Sequence, residues 1–161
     1  MIKINDNFIS LTSDKAKASA RRRMNYNFHP RAEDTLQRML NAMEPGTYIQ
    51  PHKHESPDKT EAFFCLRGRL LVVEYNAEGA IIDHIVLDHD KGDYGCEIPA
   101  RTWHSIISLK PGSVAYEVKD GPYVPINDKD FASWAPAEGD PDCPDFIGKV
   151  LAQLQLAVEQ A

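Results

Sequence analysis

The chain has 161 residues, 42% hydrophobic and 26% charged, which suits one soluble domain with its own core and excludes both a disordered chain and two full-sized domains. A net charge of -6 works against nucleic acid as a partner, because phosphates reward clustered positive charge, and no apolar run approaches the roughly 20 residues that cross a bilayer. Cys65, Cys96 and Cys143 are too scattered for a disulfide framework, and "MIKINDNFISL" lacks the unbroken apolar core of a signal peptide, so the expected location is the cytoplasm.

Residues 1–28 mix the short apolar stretches "MIKI" and "FISL" with a basic segment, and read as an arm with one or two short strands. Arg21, Arg22 and Arg23 are adjacent there, forming either a solvated face or an anion site. From Pro30, Leu36, Met39, Leu40 and Met43 recur at the three-and-four spacing of an amphipathic helix, with Glu33 and Asp34 near its positive end. Pro45 and Gly46 stop it.

Between Thr47 and Lys119 the segments "TYIQPHKH", "EAFFCLRG", "LLVVEYN", "AIIDHIVL", "YGCEIPA", "WHSIISL" and "SVAYEVK" read as strands, separated by turns rich in glycine, asparagine and aspartate. Strands this short and regularly punctuated predict an all-β fold, a small antiparallel barrel or sandwich. After Gly121 comes a proline-rich loop in which Phe131 and Trp134 are the anchors, and a last helix from about Pro144 with an apolar stripe of Phe146, Ile147, Val150, Leu151, Leu154 and Val158.

Alternate side chains of a strand share a face, so His52 and His54 are presented together, along with Tyr48 and Gln50. A glycine-initiated strand, a proline turn and a returning strand in "GDYGCEIPARTWHSI" can carry His104 back beside them.

At these residues the sequence resembles the cupin family. The first cupin motif, G(x5)HxH(x3-4)E(x6)G, matches Gly46, His52, His54, Glu61 and Gly68, and the second, G(x5-6)P(x)G(x2)H, matches Gly92, Pro99 and His104. Two departures stand out: six residues separate His54 from Glu61, and Arg101 occupies the second motif's inner glycine. The longer gap makes Asp58 a rival to Glu61. Asp58 lies in the turn-prone "ESPDKT", whereas Glu61 opens a strand that would hold a ligand rigidly, so Glu61 is the expected third ligand. Glu55 follows His54 directly and faces the other way.

More narrowly, residues from about Ala20 to Asp140 are similar to the WbuC-type cupin-fold metalloproteins, through "RRRMNYNFHP", "MEPGTYIQPHKH", "WHSIISLKPGSVAYEVKDGPY" and "WAPAEGD". The resemblance implies a double-stranded β-helix of jelly-roll type, with residues 1–45 as an arm and helix on the barrel, 46–120 as the barrel and 121–161 as loop and helix, in one structural domain. It also implies one divalent transition metal (zinc, iron, nickel or manganese) on His52, His54, Glu61 and His104, and a homodimer. Three imidazoles and a carboxylate are too nitrogen-rich for calcium or magnesium.

Strand parity sets Tyr48, Gln50 and Phe63 on the pocket wall, and in the family the segment carrying Arg21, Arg23 and His29 lies near the barrel, where guanidinium groups hold an anionic ligand or form salt bridges. Cys65 shares the face of Glu61 as a packed thiol. The implied partner is a small molecule, with neither nucleic acid nor membrane. A metal-dependent isomerase or epimerase on a sugar-derived or phosphorylated metabolite, an iron-dependent dioxygenase and a non-catalytic binding module all fit these residues, and no general acid or base is singled out.

Overall fold

In the computed structural model, which describes residues 1–124 and 129–159, the chain folds as two antiparallel five-stranded sheets, each covered on its outer side by one helix. The elements are α1 (Asp6–Ala18), β1 (Arg23–Asn27), β2 (Leu36–Met43), β3 (His52–Lys53), β4 (Glu61–Arg67), β5 (Arg69–Tyr75), β6 (Ile81–Asp88), β7 (Gly95–Ile98), β8 (Trp103–Ser108), β9 (Ser113–Asp120), β10 (Asp130–Phe131) and α2 (Cys143–Gln153). One sheet runs β1-β2-β9-β4-β7 and the other β10-β3-β8-β5-β6. This is the all-β jelly-roll class expected from the sequence.

Three cores follow from strand alternation. Met43, Phe63, Cys65, Leu70, Val72, Ile98 and Ile106 fill the space between the sheets. Leu71, Val73, Tyr75 and Ile107 point the other way and bury Ile147, Val150 and Leu151 of α2. On the opposite flank, Leu40, Ala42 and Val114 bury Ile9 and Ala16 of α1. Each fully buried aliphatic side chain in these layers contributes about 1.5–3 kcal/mol of transfer free energy.

The segment expected as a helix, residues 30–45, contains β2, and residues 1–28, expected as an arm with one or two short strands, hold α1 ahead of the one short strand β1. β2 is buried on both faces, Met39, Asn41 and Met43 toward the other sheet and Leu40 and Ala42 under α1. Two covered faces erase the period of two and leave a fortuitous helical spacing. α1 hides its stripe because half of it is polar: Ile9, Thr12, Ser13 and Ala16 are buried, and Thr12 Oγ1 donates to the Phe8 carbonyl at 3.1 Å. Asn5 caps its start, accepting from the Phe8 amide at 3.1 Å. Both β1 and β2 thereby belong to the first sheet, which begins well before residue 46.

The connection between β4 and β5 is one residue, Gly68, and it carries the chain from one sheet to the other. Its φ is +82°, and a Cβ there would lie 2.3 Å from Ser113 Oγ and 2.7 Å from Ser113 Cα. Only glycine fits. α2 ends at Gln153, so Val158 lies beyond the helix, where the Glu159 amide donates to the Leu109 carbonyl at 2.7 Å. Trp134 packs the C-terminal loop against Tyr75 and Trp103, ring centroids 5.1 and 6.2 Å away, whereas Phe131 is exposed on β10. Among the described residues no helix is long and apolar enough to cross a membrane.

Candidate metal centre

His52 on β3 and His104 on β8 are direct register partners, with ring centroids 4.4 Å apart. His54 follows one residue past β3, its ring centroid 5.2 Å from His52 and 5.8 Å from His104. Glu61, the first residue of β4, closes the group from the facing sheet, its Oε1 against His104 Nε2 and 3.5 Å from His54 Nε2. The four side chains are 2–4% exposed, and each offers one donor atom within 4.8 Å of the others. The Arg101 amide donates to the His54 carbonyl at 2.9 Å, tying the two motif segments together.

The imidazoles are oriented as ligands. His52 Nδ1 lies 2.9 Å from the Gln50 carbonyl and His104 Nδ1 2.9 Å from the Thr102 carbonyl. A carbonyl only accepts, so each Nδ1 carries the proton and each Nε2 presents a lone pair. Burial, with Lys129 and His104 beside it, holds the His52 imidazole well below its ordinary range, against an upward pull from Glu61. Burial alone would push the Glu61 carboxyl up, but the imidazoles of His104, His54 and His52 outweigh it and hold it well below the carboxylate range. Neither Glu61 Oε1 nor His104 Nε2 makes a hydrogen bond of ordinary geometry. Donors of this kind, buried and converging on one point, fit a transition metal.

The rival carboxylates are engaged elsewhere. Asp58 Oδ1 accepts from Arg101 Nε at 2.9 Å on the surface, and Glu55 pairs with Lys53. Phe63 lies between the sheets as parity predicts, but Tyr48 does not: it packs against Cys143 and Phe146 on the outer side, and its hydroxyl donates to the Pro136 carbonyl at 2.7 Å. Regular strand geometry covers only His52–Lys53 here, so alternation cannot be extended back to residue 48. Gln50 Nε2 donates to the Ala132 carbonyl at 3.0 Å, bracing the segment that carries His52.

Arg21 and Arg23 converge on Glu138, with Nε to Oε1 at 2.6 Å and an Arg23 guanidinium nitrogen to Oε2 at 2.6 Å, so salt bridging occupies them. They nonetheless edge a cavity of about 740 Å³ with His29, whose Nδ1 sits 3.0 Å from the Arg38 carbonyl and 3.1 Å from the Arg38 amide. The cavity wall includes Asn41, Glu117 and Lys119, which sequence reading passed over. Two charges at period two with Ala115, inside the apolar strand "SVAYEVK", were the available signal.

The sequence profile of a family described as a domain of unknown function (DUF6016) matches residues 4–87, a span that holds His52, His54 and Glu61. No curated protein matches the chain. Among solved structures, the capsular polysaccharide assembling protein CapF from Staphylococcus aureus is similar at 22% identity and a TM-score of 0.52, over 62% of this chain and 27% of that one. L-ribose isomerase from Cellulomonas parahominis is similar at 14% identity and a TM-score of 0.54, over 73% of this chain and 72% of that one. The chain thus spans little more than a quarter of CapF, and these likenesses show the cupin fold alone.

Proposed function

For this chain, which belongs to the family described as a domain of unknown function (DUF6016), we propose a metal-dependent enzyme acting on a small sugar-derived or phosphorylated metabolite by isomerisation or epimerisation. The observation that carries this reading is the buried convergence of His52, His54, Glu61 and His104, whose donor atoms lie within 4.8 Å of one another. These four residues would hold one divalent transition metal, which when bound polarises a carbonyl or a hydroxyl pair. The chain itself fixes imidazole orientation through the carbonyls of Gln50 and Thr102 and excludes bulk water from the donors.

The sequence resemblance to WbuC-type proteins and the fold likeness to a capsular polysaccharide assembling protein and a sugar isomerase favour a role in surface-polysaccharide metabolism. Three free cysteines suit a cytoplasmic setting. The edge strands β6 and β7, with Ile82, Tyr94 and Phe64 exposed near them, suit a homodimer.

The test is anomalous scattering across metal absorption edges on native crystals, followed by assay of the purified metal form on aldose and ketose phosphates with and without oxygen. Turnover without oxygen supports the isomerase. Oxygen uptake by iron-loaded protein would assign a dioxygenase, reversible binding with no product a binding module, and absence of metal at the four residues would remove the reading.

A further inference from the structure

The cavity of about 740 Å³ opens between the inner face of the first sheet and the segments around His29 and Lys129. Three inward side chains on two paired strands line its floor. Asn41 on β2 and Glu117 on β9 are 6% and 7% exposed, and Asn41 Nδ2 donates to Glu117 Oε2 at 2.9 Å. Lys119, the next inward residue of β9, stands opposite Glu61 in the register, so the floor ends one strand away from a residue of the candidate metal centre.

Asn41 Oδ1 is the telling atom. It is buried, it belongs to a residue that lines this cavity, and it has no hydrogen-bond partner among the described residues. A carboxamide oxygen only accepts, so whatever satisfies it must bring an O–H or N–H. Beside it the Glu117 carboxyl supplies a second hydroxyl-binding position, and Lys119 and Lys129 set positive charge in the cavity of a chain whose net charge is -6. Such a local inversion concentrates anions at the site.

We propose that the Asn41–Glu117 pair is a specificity-determining element that reads a hydroxyl of a small polyhydroxylated ligand bearing an anionic group, held in this cavity with that group toward Lys119 and Lys129. The ligand class deepens the proposed function, but binding through this pair does not require the metal.

The test is calorimetric titration of chelator-treated protein with D-gluconate and D-glucose 6-phosphate, and with D-glucose, adipate and inorganic phosphate as partial probes. At least one anionic polyol is expected to bind, with each partial probe at least tenfold weaker; which of the two binds better separates a carboxylate from a phosphate ligand. Asn41→Leu and Glu117→Gln are each expected to weaken binding tenfold or more, while thermal melts show both folded. Glu117→Gln is isosteric and stands alone if Asn41→Leu does not fold. Binding of neither polyol, phosphate binding as tightly as the sugar phosphate, or unchanged affinity in the variants would each overturn the proposal. Metal content of His104→Ala is read in parallel: loss of metal with polyol binding intact supports both readings, and wild-type protein that takes no metal but binds the polyol sinks the enzyme reading alone.

Discussion

Asp58 Oδ1 lies 2.9 Å from Arg101 Nε, a contact that joins the two departures from the cupin motifs, the lengthened turn between His54 and Glu61 and the arginine in place of the inner glycine. The lengthened turn supplies the carboxylate, and the residue replacing the inner glycine supplies the cation. Arg101 keeps the glycine-like backbone, with φ of +68°, while its side chain clamps the turn. Both departures belong to one surface contact, which leaves Glu61 as the carboxylate facing the imidazoles.

Asp58→Asn is therefore expected to retain metal at wild-type stoichiometry, whereas Glu61→Gln and His104→Ala lose most of it, as measured by elemental analysis of dialysed protein. Free metal at a hundred times its Kd adds about 2.7 kcal/mol to stability, so chelation of the wild type should lower its melting temperature and chelation of His104→Ala should not. Metal loss in Asp58→Asn equal to that in Glu61→Gln would reverse the assignment.

Gly68→Ala should destabilise the fold by roughly 2 kcal/mol or more, because the left-handed backbone and the 2.3 Å approach to Ser113 Oγ both oppose a Cβ. Gly139, with φ of +92° and nothing within 4 Å of its Cβ position, isolates the backbone contribution: its alanine variant should cost about 1 kcal/mol. Urea melts compare the two, and equal losses would discount the contact with Ser113.

Arg23 and Arg21 share Glu138 but differ in exposure, their side chains being 12% and 62% accessible. Arg23 also donates to the Tyr48 carbonyl at 2.8 Å. Arg23→Met should cost about 1–3 kcal/mol and Arg21→Met no more than about 1 kcal/mol in the same melts. A greater loss at Arg21 would count against Arg23 as the anchor of this segment.

Burial, reinforced by the neighbouring Glu61, raises the Glu117 carboxyl above its ordinary value of 4.5. A raised acid favours the folded state most fully below that ordinary value, and its contribution is lost as pH rises through the folded pKa. Glutamine does not titrate. The melting temperature of Glu117→Gln relative to wild type should therefore climb as pH increases above about 4.5. A difference that stays constant from acid to alkaline pH would mean that folding leaves the Glu117 carboxyl unshifted.

The convergence of His52, His54, Glu61 and His104 and the barrel strands were legible because their signals are local. His52 and His104 each sit in a short motif, and β4 to β9 alternate or run apolar between recognisable turns. What escaped reading depends on contacts distant in sequence. β2 looks helical until α1 and the facing sheet are known to cover both its sides, and α1 looks irregular because Thr12 and Ser13 occupy its buried face. Tyr48 turned outward because β3 begins only at His52, so parity had no lattice to act on at residue 48. Asn41 and Glu117 meet only through the β2 and β9 pairing, 76 residues apart.

β9 is flanked on both sides, with Glu117 between Met39 and Phe63 and Lys119 between Gln37 and Glu61. Inserting or deleting one residue within it would turn Tyr116 and Val118 inward and send both charges to the outer face. Length variation compatible with the fold is thereby steered away from this strand and into the surface turn closed by Asp58 and Arg101, which can grow or shrink without changing the register of anything that lines the interior.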